Sequence, residues 1–172
     1  MIATLTVINR MQADGVIGTY AIGGAVGAIF HLEPIDTVDL DVFVALKNIE
    51  AGPLISLASV YEYLTARGYK AENEYIVVEG WPVQFLPPDS PLAQEALDSA
   101  IDTTVAGVKT RVMTAEHLVA LALRLGRAKD FARILQFIEA EVLDTDKLNQ
   151  ILERHGLLEK WRQFSDRFLT NT

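Results

Sequence analysis

Apolar residues at Leu5, Ile8 and Met11, with Val7 beside them, recur at helical spacing and predict an opening helix that ends near Gly15. TYAI (19–22) reads as a short strand, and GGAVGAIFHL (23–32) as a tight turn feeding a small-residue helix stopped by Pro34. VDLDVFVAL (38–46) is the clearest strand, because Leu40, Val42 and Val44 alternate with Asp39, Asp41 and Phe43. A helix over about 56–67, closed by Gly68, precedes candidate strands at 69–73, 75–79 and 82–86. After Pro87–Pro88, residues 90–100 read as a helix with Pro91 in its first turn, and 103–113 as one or two strands around Gly107.

The rest of the pattern is helical. Thr114 is a candidate N-cap and Gly126 the stop of TAEHLVALALRLG; AKDFARILQFIEAEVL, DTDKLNQILERHG and LLEKWRQFSDRFL follow. Strands mixed with helices, then helices alone, predict an α+β fold: a small mixed β-sheet flanked by helices over 1–113, with a helical part over 114–172 packed on it. Leu148, Ile151, Leu152 and His155 form one amphipathic face. Such a face either packs within the chain or receives a helix of a protein partner.

Composition narrows the class. Of 172 residues half are hydrophobic and 22% charged, enough to build a core. There are no cysteines, so disulfides, zinc–thiolate sites and cysteine nucleophiles drop out together. The formal charge of −8 argues against generic nucleic-acid or anionic-membrane binding. No apolar run approaches the roughly 18–20 residues of a spanning helix. The first residues lack the features of a signal peptide, so a cytoplasmic protein is expected. The charge is also uneven: residues 1–106 hold 4 Lys/Arg against 14 Asp/Glu, and 107–172 hold 11 against 9. The two parts could form opposite walls of a cleft for cations and phosphates, or simply carry ordinary surface charge.

The chemistry concentrates at Asp39 and Asp41. In a strand both carboxylates point to one side, with Cα atoms roughly 6.6 Å apart. Two readings fit this pair by itself: a solvated edge face, or a site where a hard divalent ion offsets the repulsion and keeps positions open for phosphates. Upstream, Gly23–Gly24 lets backbone come close to a bound group, and the start of a following helix favours anions. A dinucleotide fingerprint fails here, since Ile22 holds its first glycine position. Downstream, Arg124, Arg127, Lys129 and Arg133 cluster at a helix junction; they either bind phosphate or are solvated, with Asp130 pairing to Arg133. His31, His117 and His155 lack metal-ligand spacing.

YAIGGAVGAIFHLEPIDTVDLDVFV (20–44) resembles the signature of the DNA polymerase β-like nucleotidyltransferase superfamily: a Gly-Gly turn, a helix, then two alternate aspartates on a strand. EHLVALALRLGRAKD (116–130) is similar to a helical segment of the abortive-infection toxin-type members. The resemblance implies the nucleotidyltransferase fold and transfer of a nucleotidyl group from an NTP to a hydroxyl acceptor of unknown identity. By resemblance Asp39 and Asp41 hold Mg²⁺ or Mn²⁺, and Gly23, Gly24, Thr37, Gln84 and Arg127 contact the nucleotide. Lys129 and Asp130 lie near the chemistry.

Members usually carry a third carboxylate on a later strand, and WPVQFLP offers Gln84 there. An amide positions groups but takes no proton at neutral pH. Ile35 and Ala122 likewise stand where the pattern has an arginine and a lysine. The alternative expectation is therefore a slow or inactive module that binds nucleotide or a protein partner in a toxin–antitoxin type of role.

Overall fold

A computed structural model of the chain describes residues 1–32, 39–46 and 57–169. Its centre is a seven-stranded mixed sheet in the order β3-β4-β5-β2-β1-β7-β6. The strands are β1 (Tyr20–Ile22), β2 (Leu40–Val44), β3 (Lys70–Glu72), β4 (Tyr75–Val78), β5 (Trp81–Leu86), β6 (Ile101–Val105) and β7 (Val108–Val112). Both β1–β7 and β2–β5 are parallel, and the other neighbours are antiparallel. Glu79–Gly80 and Ala106–Gly107 close two-residue hairpins, so 101–112 is a strand pair and the sheet is larger than the sequence suggests.

Alternation places the two faces of the sheet. Leu40, Val42 and Val44 join Ile76, Val78, Val83 and Phe85 in a buried cluster with Leu5, Ile8 and Met11 of α1 (Ile2–Ala13) and Val60 and Leu64 of α3 (Ala58–Thr65). The opposite face presents Ala21 and Met113 to a second cluster, against which Phe43 packs. That cluster is built by α4 (Pro91–Asp98), α5 (Ala115–Leu125), α6 (Ala128–Glu139), α7 (Thr145–Arg154) and α8 (Leu158–Phe168). Leu148, Ile151 and Leu152 are buried there, so the amphipathic face of α7 packs within the chain.

Local chemistry accounts for the helix ends. Ser90 accepts a hydrogen bond from the Ala93 N–H ahead of Pro91, and Thr114 accepts one from the His117 N–H. Gly126 ends α5 in the left-handed region, with φ +68°. Glu116, in the first turn of α5, accepts from the Asp144 N–H at 3.0 Å and ties the start of α7 to α5. The opening helix α1 ends at Ala13, as its apolar spacing predicts. The helix after the glycine turn is shorter than expected: α2 spans only Gly24–Ile29. Less than two turns sum to little macrodipole, so the expected pull of a helix start on anions falls away and only the close-approaching backbone remains. Among the described residues no helix is long and apolar enough to cross a membrane.

Candidate functional site

β2 lies in the middle of the sheet, and its partners set the site. Asp41 pairs in register with Gln84 on parallel β5. Continuing the β4–β5 register by one residue sets Tyr75 opposite Gln84. On the other side the Gly23 N–H donates to the Asp41 carbonyl at 3.0 Å. A row Tyr75–Gln84–Asp41–Gly23 therefore crosses four strands. Its side chains lie on the face opposite Leu40, Val42, Val83 and Phe85. Asp39, one residue before β2, shares that face: its Oδ2 accepts a hydrogen bond from the Tyr75 hydroxyl at 3.2 Å. Partial burial, then the Asp39 charge and hydrogen bond, push the Tyr75 phenol up, so it stays protonated and donates.

The glycine turn fits this row closely. Gly24 has φ +56°, and a β-carbon there would stand 2.8 Å from Asp41 Cγ and nearer still to Oδ2. A β-carbon at Gly23 would meet the Phe43 ring at 2.7 Å and Met113 Sδ at 3.2 Å. Side chains at either position would displace what they touch, so the glycines let the turn lie against β2.

Charge converges on Asp41 from two directions. Burial and the neighbouring Asp39 raise its pKa, while Arg133, Lys129 and Arg127 pull it down. Arg127, Lys129 and Arg133 of the α5–α6 junction therefore lie within electrostatic reach of Asp41. Arg124 stands apart: it forks the Asp89 carboxylate at 2.7 and 3.0 Å and donates to Ser90 Oγ. It belongs to the α4–α5 contact, because its guanidinium is already met by a carboxylate there.

Asp130 is placed differently from the pairing considered with Arg133. It is 1% exposed, and its carboxylate accepts from the Arg127 N–H, Nε and Nη2 at 3.1, 2.7 and 3.0 Å. Three residues apart at the start of α6, the two close its first turn: the Asp130 carboxylate reaches back to the Arg127 N–H, and the arginine side chain, which has no acceptor, donates to the same carboxylate. Burial alone would raise the Asp130 pKa; the Arg127 bonds outweigh it and hold the carboxyl below its ordinary range.

Thr37 lies outside the described residues. Asp39, Asp41, Gln84, Gly23 and Gly24 come together on one sheet face, with Arg127 and Lys129 in the electrostatic field of Asp41. Sequence reasoning missed Tyr75, whose only signal is register across two strand pairs. Two concavities lie elsewhere: one is lined by Leu123, Phe131, Lys160, Phe164 and Arg167, the other by Tyr69, Lys70, Glu72 and Gly80.

A hard divalent ion suits this donor set. Carboxylate oxygens at Asp39 and Asp41, with an amide oxygen available at Gln84, match the one or two carboxylates by which Mg²⁺ is usually held beside phosphates. The described residues hold no group of three or more His, Cys, Asp or Glu arranged for a metal, so any such ion would rely on these two carboxylates and its other ligands.

No family model and no curated protein matches the chain. Solved structures do. An antigenic nucleotidyltransferase-like protein from Paracoccidioides brasiliensis superposes with a TM-score of 0.59 at 13% identity, over 95% of this chain and 88% of that one. The antibiotic-resistance factor ANT(2'')-Ia, solved in solution, gives 0.54 at 12% identity, over 95% and 99%. The same factor crystallised in complex with adenylyl-2''-tobramycin gives 0.53 at 12%, over 91% and 98%. The chain has the nucleotidyltransferase fold.

Proposed function

We propose that the protein moves a nucleotidyl group from a nucleoside triphosphate to a hydroxyl acceptor, with Asp39 and Asp41 holding Mg²⁺ or Mn²⁺. The observation that carries this reading is the packing of Asp41 against the Gly23–Gly24 turn, within the field of Arg133, Lys129 and Arg127. The bound ion would neutralise charge on the transferring phosphate and the departing pyrophosphate. The chain's own residues do the rest. The glycine turn brings backbone close to the phosphates, and Lys129 and Arg133 offset phosphate charge across from Asp41. Arg127, though bonded to Asp130, keeps an exposed guanidinium on the same junction. That a neighbour of the same fold holds an adenylylated molecule supports this class of chemistry.

Gln84 favours a second reading. In register with Asp41, it supplies an amide where this chemistry benefits from a base, and losing a general base typically costs about 10²–10⁴ in rate. The protein would then be a slow transferase, or a nucleotide-binding module acting on a protein partner in a toxin–antitoxin type of role.

Calorimetric titration with each NTP, in Mg²⁺, Mn²⁺ or chelator, tests the first reading. Metal-dependent affinity that disappears in Asp41→Asn is expected; equal affinity in parent and variant overturns it. Labelled NTP with cell extract then separates the two readings, since binding without any transferred label favours the module.

A further inference from the structure

We propose, resting on that reading, that Tyr75 is a self-modification site: its phenolic oxygen accepts the nucleotidyl group and leaves a tyrosyl phosphodiester on β4.

The geometry carries this. The Tyr75 hydroxyl lies 3.2 Å from Asp39 Oδ2 and reaches it from the β5 side, across the strand that bears Gln84. An attacking hydroxyl in this chemistry must stand beside the metal-holding carboxylates, and a hydroxyl of the chain already does. The four other tyrosines are engaged elsewhere. Tyr20 is buried and hydrogen-bonded to Asn9 and Thr110, Tyr61 donates to the Glu74 carbonyl, Tyr63 to Asp14 and Tyr69 to Glu79. Tyr75 is half-buried, so a phosphate group on its oxygen can project toward solvent.

The step balances without a further reactant. The Tyr75 oxygen bonds to the α-phosphorus as the bond from that phosphorus to the bridging β-phosphate oxygen breaks. Pyrophosphate leaves with the electron pair, and the phenolic proton is lost to solvent. Magnitudes favour an internal acceptor here. Gln84 forfeits about 10²–10⁴ in rate as a missing base. A well-oriented intramolecular nucleophile gains an effective molarity of about 10⁵–10⁸ M. An acceptor fixed in the chain can thus react where a freely diffusing one is slow.

The experiment incubates the full chain with each of the four α-labelled NTPs in Mg²⁺ and in Mn²⁺. It follows intact mass, maps the adduct by peptide mass spectrometry, and measures NTP binding in parallel. Expected is a gain of one nucleotidyl group on the peptide containing Tyr75, first order and independent of protein concentration. The adduct is absent in Tyr75→Phe and Asp41→Asn and retained in Tyr69→Phe. Asp41-dependent NTP binding with no adduct, or an adduct on another residue, overturns the self-modification and leaves the nucleotidyltransferase reading standing. Absence of Asp41-dependent binding overturns both.

Discussion

Gly24 lies against the carboxylate of Asp41, so that a β-carbon at Gly24 would stand 2.8 Å from Asp41 Cγ. Two costs separate there. The φ of +56° disfavours any L side chain by roughly 1–2 kcal/mol, and the collision with Asp41 adds strain of about 1–3 kcal/mol. Gly80 isolates the first cost, since its φ is +81° and no atom lies within 4 Å of its β-carbon position. Gly24→Ala should therefore lower the urea midpoint more than Gly80→Ala and weaken metal-dependent NTP binding at least tenfold, while Gly80→Ala leaves binding intact. Equal behaviour of the two variants would show that the close approach to Asp41 is not used.

A second expectation concerns Asp130. Its buried carboxylate takes three hydrogen bonds from Arg127, and bonds to charged groups contribute about 1.5–3 kcal/mol. Because the Arg127 side chain is 54% exposed, solvent screens part of this, and Asp130→Asn should cost about 1–2 kcal/mol at neutral pH. The Asp130 pKa is lowered by folding, so the parent's advantage is present above the ordinary carboxylate range and fades as pH falls through the folded value. Denaturant melts of both proteins across acidic pH check this. Unchanged stability in Asp130→Asn would mean that the Asp130–Arg127 contact is energetically silent.

How far the sequence foretells these elements depends on how local each is. Alternation in VDLDVFV is a period-two signal, and it marks the two aspartates as facing away from Leu40 and Val42. Ser90, Thr114 and Gly126 act on residues within four positions, so their caps are readable in order along the chain. The row from Tyr75 to Gly23 is not local. It depends on β5 inserting between β4 and β2, a pairing that no short window encodes. Gln84 was reachable only through a family resemblance, and Tyr75 only once register was known. The short α2 defeats its pattern for a different reason. Glycine and alanine make a small-residue stretch look helical without anything in it fixing the helix end. The choice of Arg127 over Arg133 for Asp130 was ambiguous because both stand three residues away.

Glu95 joins three helices away from the aspartate face. From α4 it accepts hydrogen bonds from Arg154 at 2.6 and 3.1 Å, meets His155 at 2.6 Å, and lies 3.4 Å from His117 Nε2 on α5. Arg154 is the main cause of its low pKa; burial opposes, and the histidines assist, taking it from 4.5 to about 2. The depressed value means this stabilisation is full above pH 4.5 and is lost as pH falls toward about 2. Allowing for the half-exposed Arg154, Glu95→Gln should cost about 1–2 kcal/mol at pH 7, with the gap closing in acid. A constant gap from pH 7 down to pH 2 would show that packing, not charge, carries the effect.

Gln84 offers the sharpest test of the aspartate face as a cation site. Because β2 and β5 are parallel and Asp41 is in register with Gln84, an aspartate at 84 would share one sheet face with Asp39 and Asp41. Three carboxylates repel one another when no cation is present, so Gln84→Asp should melt below the parent in chelator. A divalent ion reverses the order of cost and gain, since the added carboxylate supplies both charge and an oxygen ligand. Tenfold tighter binding under excess ion stabilises the folded chain by about 1.4 kcal/mol more than in the parent. For a chain of this size that corresponds to a further rise in Tm of about 3–5 °C. The measurement is a pair of thermal melts, parent and Gln84→Asp, each in chelator and in Mn²⁺. A larger metal-induced rise in the variant is expected. If Mn²⁺ shifts both proteins equally, position 84 does not face the ion. If it shifts neither, the two aspartates hold no such ion, and the cation assignment fails.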